Sequence, residues 1–398
     1  MTACDLTRYV RAFLVREKRR PRLLFVVTED WYFVSHRITL AKAARNAGFD
    51  VAIATRVSAD EEVIRAAGLN VYPVDFNRGG VHPLHDLKTF RRLVEIYRSF
   101  HPDIAHHVAL KPALYGSLAA CLTGRPKVVN ALGGLGYVFS SKSWRARILH
   151  SLIKPILGFA MRMHNSRLIV QNEQDLQRVV DERLAHPETV RLIPGAGVEL
   201  ERYRQTDAGG EPPLVILPAR LLRDKGVGEF VEAASILKRE GSLARFALVG
   251  RPDPLNPASV SQAEIDAWVS GGLVEAWGWQ EDMPAILSQT QIVCLPSYHE
   301  GLPKTLLEAA ASGCAMIATD IAGCRAVVRE GETGLLVPVG DTQALAAALR
   351  RMTTDADLRR WCGANARSVA GERFSIERVI SRTFEIYREL LWDTRSER

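Results

Sequence analysis

Ile292-Val293-Cys294-Leu295-Pro296-Ser297-Tyr298-His299-Glu300-Gly301-Leu302-Pro303-Lys304-Thr305-Leu306-Leu307-Glu308 reads as a strand, a loop and a helix in immediate succession. Ile292 to Leu295 is short and wholly apolar, the pattern of a strand buried on both faces of a parallel sheet. Pro303 sits where a helix can start, since the first helical residue needs no N–H. Leu306, Leu307 and Ala310 then carry helical spacing. Glu300 is therefore expected in the loop at a strand's carboxyl end, and Glu308 more than one turn into the helix. Ligands of open α/β sheets bind at that end, and a helix start offers unpaired N–H groups to an anion. Carboxylates accept hydrogen bonds well from sugar hydroxyls. The two acids thus suit a polyhydroxylated, phosphorylated ligand, with the amides near Lys304 and Thr305 left for phosphate. The spacing alone also fits an exposed loop acid followed by an ordinary surface glutamate.

The same strand–helix alternation runs outward in both directions. Strands are expected at 22–28, 50–55, 70–74, 103–107, 127–130, 167–171 and 190–194, with helices at 37–47, 60–67, 83–99 and 112–121 between the earlier ones. Residues 206–213, rich in Gly and Pro, read as a linker. A second series follows, with strands at 214–217, 245–249, 273–276, 292–295 and 315–318 and helices at 228–238, 343–352 and 376–391. Such alternation predicts an α/β chain with parallel sheets covered on both faces. The expected division is 1–205, 206–375 and a closing helix at 376–398, with 1–20 a basic amphipathic extension.

The chain has 398 residues, 47% hydrophobic and 24% charged, enough for two domains of ordinary size. No apolar run approaches the ~18 residues that span a bilayer. Residues 1–22 lack the apolar core of a secretory signal. Six cysteines are scattered without CxxC or metal-ligand spacing, which fits a reducing cytoplasm. The net charge is +7, a balance that suits nucleic acid, an anionic membrane face or anionic substrates. Basic and apolar residues interleave at 8–22 and at 143–167. Both stretches read as interfacial helices on anionic lipid, or equally as core-packed helices with a solvated basic face. Nucleic acid would rest on net charge alone and is not expected.

From Leu295 to Gly313, and on through Ile317-Ala318-Thr319-Asp320-Ile321-Ala322-Gly323 and Gly331-Glu332-Thr333-Gly334-Leu335-Leu336-Val337-Pro338, the chain resembles the retaining glycosyltransferases of family 4. That resemblance implies the GT-B fold, two Rossmann-like, doubly wound parallel-sheet domains facing across a cleft. It also implies roles. Arg220 and Lys225 would neutralise the departing diphosphate. Glu308 would take the ribose hydroxyls, and Glu300 the transferred sugar beside Gly301, Leu302 and Pro303. Lys304, Thr305 and Leu307 belong to the same nucleotide-sugar segment, and Gly250 would let the ligand approach the backbone. The base would lie near Trp277-Gly278-Trp279. Read by themselves, Arg220 and Lys225 are surface cations, Gly250 a turn glycine and the indoles core.

In the first domain the family places a histidine near the donor sugar, often within His-x-His. This chain has His106-His107-Val108, and strand alternation sends the two rings to opposite faces. His106 is preferred, with His107 in reserve; a histidine satisfied by packing is the plainer reading. Phe33 to Arg37, Leu110 to Gly116, Gly134 to Phe139 and Gln171 to Glu173 resemble the narrower group that extends lipid-linked surface polysaccharides. They nominate His36, Lys111, Tyr115 and Gly136 as acceptor-side residues. Asp355-Ala356-Asp357 is read as a helix cap and not as a metal site. Neither metal nor cofactor is expected. The expected partners are a nucleotide sugar, UDP-linked first and GDP-linked second, and a glycan or lipid-linked acceptor. The expected place is the cytoplasm or the inner face of its membrane. Two rivals stay open: a nucleotide-sugar 2-epimerase of the same architecture, and a non-catalytic sugar-nucleotide-binding subunit. A nicotinamide dehydrogenase would need a Gly-x-Gly-x-x-Gly after a strand, which is missing.

Overall fold

The computed structural model describes residues 10, 13–14, 17–77, 82–124, 126–134, 154–163, 165–207, 209–254 and 256–392. Chain contacts divide it into two units, Met1–Ala196 with Ile376–Arg398, and Gly197–Ser375.

The first unit is built on β1 (Arg22–Glu29), β2 (Asp50–Arg56), β3 (Asn70–Pro73), β4 (Ile104–Val108), β5 (Lys127–Ala131), β6 (Ser166–Val170) and β7 (Val190–Leu192). All pair in parallel, in the order β3-β2-β1-β4-β5-β6-β7. β1 shows why the sequence reads as continuous apolar runs. Leu23, Phe25 and Val27 pack on one face with Phe384 and Tyr387 of the closing helix Ile376–Trp392. Leu24 and Val26 pack on the other with Leu93, Ile96 and Tyr97 of the helix Pro83–Phe100. With both faces covered, no strand position is free to be polar without a partner. The winding direction reverses between β1 and β4.

The second unit carries β8 (Leu214–Pro218), β9 (Arg245–Val249), β10 (Glu275–Gly278), β11 (Ile292–Leu295), β12 (Ala315–Thr319) and β13 (Gly334–Val337). They are parallel, in the order β10-β9-β8-β11-β12-β13, with the reversal between β8 and β11. Helices Val227–Arg239 and Thr342–Thr354 cover one face through Phe230, Leu237, Leu345 and Leu349. Lys304–Ala311 and Ala356–Arg373 cover the other through Leu306, Ala310, Ala366 and Ala370.

The junction differs from the composition-based boundary. Residues 206–213 are not a free linker but part of the second unit. Thr206 N–H donates to the Ser312 carbonyl at 2.8 Å, and Gln291 Nε2 donates to the Asp207 carbonyl at 3.1 Å. The chain passes between units at Ala196/Gly197 and Ser375/Ile376. β13 is an added strand. A Cβ on Gly334 would sit 2.2 Å from the Met316 carbonyl oxygen, so the glycine serves close strand approach. Helices Asp30–His36, Glu173–Asp181 and Gln262–Ser270 are also additions. Their buried stripes are narrow, with one or two buried residues each, too few to show as helical periodicity. Asp355 caps Ala356–Arg373 by accepting from Leu358 N–H at 2.9 Å.

Candidate functional site

The loops leaving β8 and β11 emerge side by side at the point where the strand order reverses. The first turns through Arg223–Lys225 into Gly226, whose φ is 70°. A Cβ on Gly226 would lie 2.2 Å from the Pro296 carbonyl oxygen. Only glycine therefore lets this loop rest against the next one. Tyr298 N–H, donating to the Asp224 carbonyl at 2.9 Å, ties the two loops. This brings Lys225 Nζ to donate to Glu300 Oε1 at 2.6 Å. The two side chains are 19% and 13% exposed, so the pair is shielded from water on most sides.

Neighbouring segments supply more charge. Arg220 donates to Asp253 Oδ2 at 3.1 Å and keeps 44% of its side chain exposed. Gly250, at φ 152°, closes β9 where a Cβ would meet the Ala219 carbonyl oxygen at 1.9 Å. The helix Lys304–Ala311 starts beside the end of β8, since Thr305 Oγ1 donates to the Pro218 carbonyl at 3.1 Å. No side chain caps that helix, and while the Leu306 and Leu307 amides donate to the Pro303 carbonyl, those of Lys304 and Thr305 are unspent. Glu308 is 8% exposed. Its Oε1 accepts from Tyr203 Oη at 2.9 Å and from Lys304 Nζ. Burial first, then the carboxylate beside it, raises the Tyr203 hydroxyl above its ordinary pKa, so it stays a donor. Tyr203 is a site neighbour that sequence reasoning missed. It lies a hundred positions from Glu308 in sequence, beyond the reach of any motif.

Other expected site residues are packed or paired within the second unit. Leu307 is fully buried with Leu306 and Ala310 and works for the core, because the helix face it occupies looks onto the sheet. Leu302 is 8% exposed and packs into the same cluster. The Glu300-Gly301 backbone presses on Gly323, where a Cβ would meet both carbonyl oxygens at 2.5 Å. Trp277 Nε1 donates to Glu275 Oε2 at 2.9 Å, while Trp279 is 59% exposed under the Arg251 guanidinium.

In the first unit, β4 is followed by Ala109, a non-glycine residue at φ 81°. Strain of this kind gathers at functional edges. His106 is 1% exposed, stacked on Phe25 at 5.1 Å, with Nδ1 2.7 Å from Tyr387 Oη. His107 faces the other way, with Nε2 2.6 Å from Tyr97 Oη and Nδ1 2.7 Å from Asn130 Oδ1. Both rings are buried in the free protein. His106 sits in the core because β4 is covered on both faces, and its Nε2 is sealed from water without a partner. Burial lowers both rings, His106 well below the ordinary histidine value and His107 to about 4. His36 is stacked on Tyr32 at 4.0 Å. Lys111 donates to the Asn77 carbonyl at 3.0 Å and pairs with Asp86 at 3.5 Å. Burial, then Asp86, pushes Tyr115 up to about 12. Gly136, residues 143–153 and most of the basic extension lie outside the described residues. Among the described residues no cluster of His, Cys, Asp and Glu has metal-binding geometry.

Comparison with known families meets this geometry in both units. The model of glycosyl transferases group 1 matches residues 212–355, and that of glycosyl transferase 4-like domains matches 22–172. The chain belongs to the group 1 glycosyltransferases. Among curated relatives is the N,N'-diacetylbacillosaminyl-diphospho-undecaprenol alpha-1,3-N-acetylgalactosaminyltransferase of Campylobacter jejuni. It is 26% identical over 81% of this chain and 87% of its own length. The Escherichia coli UDP-Gal:alpha-D-GlcNAc-diphosphoundecaprenol alpha-1,3-galactosyltransferase is 26% identical over 77% and 81%. Sucrose-phosphate synthase of Thermosynechococcus elongatus superposes with a TM-score of 0.75 at 21% identity, over 94% of this chain and all of that one. Anabaena HepE, solved with UDP, gives 0.75 at 16% identity, over 92% of this chain and all of that one. This glycosyltransferase thus has the GT-B fold.

Proposed function

We propose that this glycosyltransferase moves a sugar from a UDP-linked donor to a hydroxyl of a polyprenyl-diphosphate-linked glycan, with retention at the anomeric carbon. The observation that carries the reading is the shielded Lys225–Glu300 pair at 2.6 Å where the β8 and β11 loops meet. Lys225 and Arg220 each hold an acid in the free enzyme. A diphosphate would replace those acids as the partner of the two cations, joined by the open amides of the Lys304–Ala311 helix. Glu308, oriented by Tyr203, would accept from the ribose hydroxyls. Glu300, released from Lys225, would accept from the sugar. In the transfer step the bond from the anomeric carbon to the β-phosphate oxygen breaks through an oxocarbenium-like state. The acceptor oxygen bonds to that carbon, and its proton passes to the departing phosphate. The cations and amides offset the charge that builds on the leaving group, so no metal ion or cofactor is assigned.

The acceptor class is supported by relatives whose names specify diphospho-undecaprenol. The donor class is supported by the UDP-Gal transferase and the UDP-bound neighbours. Among the described residues no helix is long and apolar enough to cross a membrane. A peripheral position on its cytoplasmic face is supported by Ile156 and Phe159, 44% and 60% exposed, near Lys154 and Arg162.

The test is a matrix of UDP- and GDP-sugars against a short polyprenyl-diphosphate-linked sugar, read by nucleotide release and product anomeric configuration. Acceptor-dependent release with a retained anomer supports the reading. Conversion of the donor sugar without acceptor would make the protein an epimerase. Binding without release across the whole matrix would make it a non-catalytic subunit.

A further inference from the structure

Arg37 is 6% exposed, yet its guanidinium has no hydrogen-bond or ion-pair partner among the described residues. Its Nε is sealed from water and unpaired; the terminal nitrogens, also unpaired, are not sealed. A buried cation without a counter-charge is among the costliest arrangements a fold can hold. The acids nearest in sequence are committed elsewhere. Asp30 accepts from Ser58 N–H and Oγ, Asp60 N–H and Trp31 N–H, and Glu29 faces Arg56 at 3.8 Å. On the closing helix, Glu389 holds Arg167 and Arg191.

A second, independent orphan stands beside it. His106 Nε2 is buried and unpaired, while Nδ1 is held by Tyr387 Oη at 2.7 Å. Arg37 is close enough to lower the His106 ring and to act on Tyr32 and Tyr387. The Tyr32 hydroxyl lies by Gly133, just past the carboxyl end of β5, where Gln171 Nε2 also comes close. Tyr32 thus ties the cluster to the carboxyl edge of the first sheet, whose strand order reverses between β1 and β4. With Tyr387 Oη donating to Nδ1, the neutral His106 ring carries its proton on Nε2, and that N–H and the planar guanidinium fork together lack an acceptor-rich anion.

We infer that this edge carries an oxyanion subsite in which the Arg37 guanidinium, flanked by His106, grips a phosphoryl group. Two sources share that chemistry: the diphosphate of a lipid-linked acceptor, which rests on the acceptor reading above, and free phosphate or pyrophosphate, which does not.

Thermal unfolding of the full chain in phosphate-free buffer, with and without inorganic phosphate or pyrophosphate, is the first measurement. It is made in an Arg220→Ala, Lys225→Ala background, which removes both cations of the nucleotide site, so that this site does not answer for the response. Added anion is expected to raise the midpoint, and Arg37→Met to abolish that rise. Arg37→Met should also raise the anion-free midpoint, since it removes an unpaired charge. A structural role for Arg37 predicts the opposite sign. If Arg37→Met does not fold, Arg37→Lys, which keeps the charge but not the fork, should show a reduced response. No response in the parent background, or one unchanged in the Arg37 variants, overturns the subsite.

Transfer assays then separate the sources. A rise of about tenfold in acceptor KM for Arg37→Lys, with donor KM unmoved, identifies the acceptor diphosphate. Transfer with unmoved acceptor KM beside an Arg37-dependent anion response identifies free phosphate. An Arg37-dependent response with no transfer to any lipid acceptor leaves the subsite standing and removes the acceptor reading.

Discussion

Single residues decide charge and protonation in this protein. Lys225 lies against Glu300 at 2.6 Å before any donor arrives, so its contact with substrate is worth most once the leaving group carries extra charge. Lys225→Ala is expected to lower kcat by about 10²–10³ while donor affinity changes by less than about tenfold. Equal losses in steady-state kcat and in titrated donor binding would reject the transition-state role. His107 gives a pH prediction. Burial lowers its ring to about 4, against the smaller opposing effect of Asn130, whereas the unfolded chain titrates near 6.5. The unfolded state therefore takes the proton first. Stability is whole above about pH 6.5 and is lost as pH falls toward about 4, by roughly 3 kcal/mol. Urea midpoints across that range should fall with acid for the wild type and fall less steeply for His107→Phe. An unchanged slope would put the acid sensitivity on other groups.

Elements meet through backbone contacts that only particular residues permit. Gly250 sits at φ 152° with a virtual Cβ 1.9 Å from the Ala219 carbonyl oxygen. Gly250→Ala should separate the β8 and β9 loops, costing about 1–3 kcal/mol of stability. UDP binding by calorimetry should weaken in step; an unaltered Kd would show that the β9 loop stands apart from the ligand. Arg359, fully buried, ends the Thr342–Thr354 helix by donating to the Met352 and Thr353 carbonyls at 2.8 and 3.0 Å. Arg359→Met keeps much of the volume but strands those carbonyls. A loss of about 2–3 kcal/mol is expected in chemical denaturation. A loss below the error of the fit would mean that water replaces the guanidinium.

At the scale of the molecule, the last helix belongs to the first unit. Val379, Phe384, Ile386, Tyr387 and Leu390 are buried in its core beside β1 and β2. Five such side chains are worth about 10 kcal/mol of burial, comparable to the net stability of a whole domain. Ending the chain at Ser375 should therefore abolish hydrogen-exchange protection in β1, β2 and β4. The second unit should stay protected and still bind UDP. Persistent protection of β1 in the shortened chain would refute that dependence.

Local pattern was enough for much of this protein. Apolar runs marked most of the strands, because a sheet covered on both faces leaves little room for polar residues. The segment from Ile292 to Glu308 announced a strand, the loop at its carboxyl end and a helix start, because each depends on neighbours close in sequence. Other features depended on groups far apart in the chain. Nothing near Glu308 announces Tyr203, and nothing near His106 announces Tyr387. Nothing in sequence showed that Gly334 must lie against Met316, and 206–213 looked like a linker until Gln291 held it. The unpaired state of Arg37 is the extreme case. Sequence shows that an arginine is present, but only packing decides whether an acid comes to meet it, because burial and pairing are properties of the folded neighbourhood.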